Sequence, residues 1–174
     1  MTSNDLAAIA TSDGVRTLHL EWDDPALAVV GLLRLSRDEL VQRLRSGDLP
    51  QPPLSKLLNI AVVDAEPGRM VLSLGPDERH VNFLGVVGGG VLGAVLDAAM
   101  WGAVQLSMDD TSMITTTNMN TNFLRRVSHD QSTLRAIART VHVGRTTAAA
   151  EARLVDDDDK IYATATANFV RLGG

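Results

Sequence analysis

The segment from Val81 to Met108 constrains this chain more than any other. It is long, apolar and rich in glycine, and Asp97 is its one ionisable side chain. Such a run is long enough to span a membrane. However, Asn82, Asp97 and Gln105 interrupt it, and glycines crowd its first half. The better reading is a helix from about Gly89 to Leu106 inside a folded domain. A helix that is apolar nearly all round must be covered on most sides, so the rest of the chain has to supply the cover.

The flanking sequence reads as strands. Ile60 to Ala65 and Met70 to Leu74 flank Pro67-Gly68, a pair suited to a type II turn. After the helix the period changes to two, over Thr115 to Leu124, Leu134 to Val143, Thr146 to Val155 and Tyr162 to Val170. Ala148, Ala150, Ala152 and Leu154 alternate with Thr147, Ala149, Glu151 and Arg153. Ala163, Ala165, Ala167 and Phe169 share one face, and Asp156 to Lys160 reads as a charged hairpin loop. The order is strand, strand, long helix, then three or four antiparallel strands. The simple solution is an α+β fold in which a curved antiparallel sheet wraps around one central helix, the hotdog arrangement.

Upstream, Val15 to Trp22 alternates weakly and reads as a short strand. Ser36 with Glu39 three residues later is a capping box, opening a helix that ends near Gly47. Pro50, Pro52 and Pro53 break the chain, and Leu54 to Leu58 suits a helical turn or two. Residues 1–49 are therefore expected as a helical N-terminal extension packing on the main fold, and residues 50–174 as the hotdog domain.

Composition excludes some functions. The net charge of −5 argues against nucleic acid or an anionic membrane as partner. The absence of cysteine removes disulfides, thiolate metal sites and cysteine nucleophiles. His19, His80, His129 and His142 are scattered, without metal-ligand spacing. The first residues carry no basic stretch before an apolar one, so a cytoplasmic location is expected.

Asp97 is the leading chemical candidate, because an apolar helix rarely carries a carboxylate without a partner or a function. Its plainer reading is a residue facing solvent or an interface. Gly88, Gly89 and Gly90 precede the helix, where free N–H groups can hold an anion or a developing oxyanion. Gly93 reads as a close-packing position. A carboxylate and N–H donors suit thioester hydrolysis, whose thiolate leaving group needs little acid assistance. There is no Gly-x-Ser-x-Gly nucleophile elbow.

His80-Val-Asn82-Phe-Leu-Gly85-Val-Val-Gly88-Gly89-Gly90, followed by Val95-Leu96-Asp97, resembles the motif of PaaI-like (phenylacetate-pathway-type) hotdog thioesterases. Asn118 to Arg126 resembles the strand after the helix, Gly144-Arg145 a later turn, and Gly47 to Pro53 a lead-in of some members. The resemblance runs from about Gly47 to Val170. It implies acyl-CoA hydrolysis with Asp97 as nucleophile or general base and the Gly89 N–H polarising the carbonyl. Asn82 would orient water or the carbonyl, and Thr116, otherwise an ordinary strand threonine, would help position water. Gly88, Gly90 and His80 would line the substrate, and Arg125, Arg126 and Arg145 would meet CoA phosphates unless they are simply solvated. No cofactor is implied, since CoA belongs to the substrate. The implied assembly is a homodimer or homotetramer with each site between subunits, Asp97 and Gly89 coming from different chains.

One position departs from the motif: Gly88 stands where the family has the histidine of a His-Gly-Gly triplet. That keeps open a non-catalytic acyl-CoA binder. A hotdog hydratase or dehydratase is a third reading, weakened because no histidine lies on the helix. Met100, Met113, Met119 and Phe83 are candidates for an apolar tunnel, or for ordinary core.

Overall fold

The computed structural model describes residues 14–108 and 112–172. The first thirteen residues of the expected extension lie outside the described residues. Within the extension, α1 (Pro25–Arg34) is opened by the Asp24 carboxylate, which accepts from the Ala26 N–H, with proline in the first turn. Sequence reasoning missed this helix, although an aspartate followed by proline is a helix-start signal. The expected strand at Val15 to Trp22 does not form: the segment has no regular secondary structure and joins no sheet among the described residues. Alternation alone builds no strand without a neighbour to share its hydrogen bonds.

Helix α2 (Arg37–Ser46) keeps the capping box in full. Ser36 and Glu39 bond reciprocally, and Gly47 closes the helix at φ +78°. The short α3 (Pro53–Leu57) follows the prolines. Leu40 and Leu49 carry this region into the core.

The sheet is built from β1 (Ile60–Glu66), β2 (Arg69–Leu74), β3 (Met113–Phe123), β4 (Leu134–Val143), β5 (Thr147–Val155) and β6 (Ile161–Leu172). Its order is β1-β2-β4-β5-β6-β3, with every neighbouring pair antiparallel. The central helix α4 (Gly89–Gln105) interrupts the chain between β2 and β3 and packs against the sheet. Ala136, Ala138, Ala148, Ala150, Ala152, Ala163, Ala165 and Ala167 are all buried. A sheet face paved with alanine can come close to a helix of ordinary width, while Leu74, Leu134, Leu154 and Phe169 fill the remaining space. Gly102 adds to this close approach: a Cβ there would lie 2.6 Å from the terminal methyl of Met70, so that side chain would have to shift to admit one. This is the expected hotdog architecture.

Candidate active site

One side of α4 faces β3 at every fourth residue, the spacing that keeps side chains on one helix face. Gly89 lies under the ring of Phe123, and Gly93 under the methyl group of Met119. The Asp97 carboxylate accepts a hydrogen bond of 2.9 Å from the Thr116 hydroxyl. Trp101 donates its indole N–H to the Ile114 carbonyl at 3.1 Å, and Gln105 its amide to the Ser112 carbonyl at 2.9 Å. The carboxylate therefore stands midway along a helix-to-strand seam.

A β-bulge at Thr117 sets the seam's chemistry. Register shifts between Thr116, opposite Phe169, and Asn118, opposite Asn168. Before the bulge, Ile114 and Thr116 face the helix; after it, Met119 and Phe123 do. Strict alternation from Thr116 would have turned the opposite set inward. For this reason the sequence alone did not reveal Phe123 or Thr121 as site residues.

Between helix and strand lies an open groove of about 550 Å³, lined by Gly89, Gly90, Gly93 and Ala94 on one side and by Met119, Thr121 and Phe123 on the other, with Asp97 and Thr116 at one end. Among the described residues, Asp97 is the only charged one that lines it. Phe123 and Gly89 also border a second hollow of about 330 Å³, which Arg125 and Arg126 help to line. A further cavity of about 540 Å³ lies among Arg139, Glu151, Arg153 and Thr166 and contains neither Asp97 nor the α4 N-terminus. Among the described residues, no group of three or more His, Asp or Glu is arranged to hold a metal.

The N-terminus of α4 is open. Gly88 is its N-cap and has no capping side chain. The Gly88 N–H donates to the His80 carbonyl at 2.8 Å, whereas the Gly89 and Gly90 N–H groups find no acceptor among the described residues. Gly88 has φ −65° and ψ 140°, and a Cβ there would meet nothing closer than 3.6 Å. Glycine at 88 is therefore not forced by backbone or packing, whereas glycine at 89 is favoured by Phe123.

Other candidates are dispersed. The Asn82 carboxamide accepts from the Leu84 N–H at 2.9 Å, holding the turn before the helix, and does not line the groove. His80, expected to line the substrate, is instead buried. Its Nδ1 accepts from the Asp77 N–H at 3.2 Å, and burial pushes its pKa below the usual value. Its imidazole thus belongs to the wall behind the helix start. Arg125 donates to the Ile161 carbonyl. Arg145 is exposed in the β4–β5 turn, near Thr147, which pairs with Val170 and through it with Thr115. Arg145 is thus at the Asp97 end of the fold, and Arg125 and Arg126 are at the Gly89 end.

Separation along the helix decides what one chain can do. Gly89 and Asp97 are eight residues apart, about 12 Å at 1.5 Å per residue. One thioester carbonyl cannot receive a hydrogen bond from the first while being attacked beside the second.

Residues 84–163 match the thioesterase superfamily. Bacillus subtilis ComA2 is 29% identical over 109 residues, covering 62% of this chain and 85% of its own. A phenylacetic acid degradation-related protein from Ralstonia eutropha JMP134 superposes with a TM-score of 0.66 at 29% identity, over 75% of this chain and 98% of that one. The PaaI protein of the Escherichia coli phenylacetic acid degradation operon has the same fold, with a TM-score of 0.69 at 21% identity over 80% and 98% of the two chains. No helix among the described residues is long and apolar enough to cross a membrane.

Proposed function

We propose that this chain is a PaaI-like hotdog thioesterase that hydrolyses an acyl-CoA thioester to a free acid and CoA, a reading supported by the match of residues 84–163 to the thioesterase superfamily and by the fold it shares with PaaI. One observation carries the reading. A half-buried carboxylate, held by a threonine hydroxyl, lines a groove whose far end is an uncapped helix N-terminus.

Asp97 either takes a proton from a water that adds to the carbonyl carbon, or adds itself to give an anhydride that water then cleaves. Both routes consume one water, break the C–S bond and release the thiolate. The Thr116 hydroxyl fixes the orientation of the carboxylate. The Gly89 N–H stabilises the oxyanion where negative charge develops.

The 12 Å gap requires two chains, and the fold offers a way to bring them together. Strand β3 is an edge, with one side of its backbone unpaired in the sheet order, and a long open edge is a template for a second strand. Two copies of β3 pairing antiparallel about Met119 and Asn120 would set Thr116 of one chain opposite Phe123 of the other. Asp97 would then meet the second chain's Gly89, and the Arg125–Arg126 hollow would open beside it for the CoA phosphates.

Thiol release from short, long and aromatic acyl-CoAs tests this reading for wild type and Asp97→Asn. Turnover by wild type, lost by 10²-fold or more in a folded variant, supports it. Binding of acyl-CoA without thiol release would instead favour the non-catalytic binder, with Gly88 the first position to examine. The hydratase reading gains nothing from the groove, because no histidine lines it among the described residues.

A further inference from the structure

The turn leading into α4 carries two large apolar side chains almost wholly in solvent: Phe83 is 109% exposed and Leu84 85%. The turn is tightly bonded. Leu84 N–H donates to the Asn82 carboxamide, Gly85 N–H to the Asn82 carbonyl at 2.9 Å, and Asn82 N–H to the Val86 carbonyl at 2.8 Å. Gly85 adopts φ +74°, which glycine accepts without strain. Val81 and Val87 pair below it, and the Gly88 N–H is bound to the His80 carbonyl. The side chains are thus displayed on a framework fixed to the residue before Gly89. A rigid display of a Phe and a Leu in water is the pattern of a surface that is covered in use.

The cover follows from the two-chain site, on which this step rests. If Gly89 of one chain serves Asp97 of a second copy, the turn travels with it to the same place. The groove it meets is apolar there: Met119 and Phe123 are partly exposed walls, Gly90, Gly93 and Ala94 form the floor, and among the described residues no charged side chain but Asp97 lines it. We infer that Phe83 and Leu84 of each chain close the outer side of a second copy's Asp97 groove against the acyl group, and so determine acyl selectivity. The substrate class this wall fits is a thioester of an extended apolar acyl group, in preference to acetyl or a charged acyl group.

The test compares kcat/KM for decanoyl-CoA and acetyl-CoA in wild type, Phe83→Ala, Leu84→Ala and the double variant. Both side chains are exposed, so their truncation removes no core contact. Val141→Ala, an exposed residue at a bulge in β4, serves as the control. The expected result is a decanoyl-to-acetyl ratio at least tenfold lower in the double variant and unchanged in the control. A wild-type ratio retained by an active double variant overturns the inference and leaves the thioesterase reading standing. A wild type that cleaves neither these nor any other thioester of the panel overturns both.

Discussion

Replacing Gly89 by proline would remove one hydrogen-bond donor and little else. Gly89 is the first residue of α4 after its Gly88 cap. Proline is well suited to that position, because its fixed φ matches the helix and the missing N–H has no intrahelical acceptor. Gly88 already lies in the extended region that proline imposes on its predecessor. The conflict is with Phe123, since a Cβ at 89 would lie 3.0 Å from Cζ of its ring. That ring is 54% exposed and can yield by a few tenths of an ångström. Loss of one oxyanion donor costs about 2.7–4 kcal/mol, a fall of roughly 10²- to 10³-fold in kcat, and thermal unfolding should shift little. Asp97→Asn is equally inactive for the other half of the chemistry. Because the two positions are about 12 Å apart along one helix, the two dead variants should complement each other. Equal amounts unfolded and refolded together give half heterodimers, each with one site carrying both changes and one carrying neither. The mixture should therefore recover about 25% of the wild-type rate, the share fixed by twofold symmetry. Thiol release by the refolded mixture, with mass measured by light scattering, is the assay. Activity no higher than the sum of the separate variants would refute the shared site.

Two further outcomes follow from particular contacts. Thr116→Val keeps the side-chain shape but removes the 2.9 Å bond to Asp97. A hydrogen bond to a charged group is worth about 1.5–3 kcal/mol, so kcat/KM should fall about 10- to 100-fold, with Thr116→Ser retaining much of the rate. His80 is held neutral by burial, its pKa depressed from 6.5. The unfolded chain then binds a proton that the folded chain refuses, so stability should be full above about pH 6.5 and fall as pH drops towards the folded pKa. Urea midpoints at pH 7.5 and 5.5 would show this, and His80→Phe should flatten that slope.

Local signals along the chain define the helix and its cover. The apolar run from Gly89 to Leu106 reads as a covered helix, the period-two alanine runs as strands around it, and Ser36 with Glu39 as a helix start, because each signal is local. The same holds for Asp97, whose isolation on an apolar helix is visible in one dimension. Three things were decided by tertiary structure. Val15 to Trp22 alternates like a strand but finds no strand to pair with among the described residues. The bulge at Thr117 reverses which β3 side chains face the helix, and so brings Phe123 onto Gly89 and leaves Thr116 on Asp97. His80, within the same short motif as Asn82 and Gly89, turns inward while Phe83 and Leu84 turn out. Pairing, register and facing depend on what lies across from a residue. Spacing along the chain does not encode these until the sheet has closed on the helix.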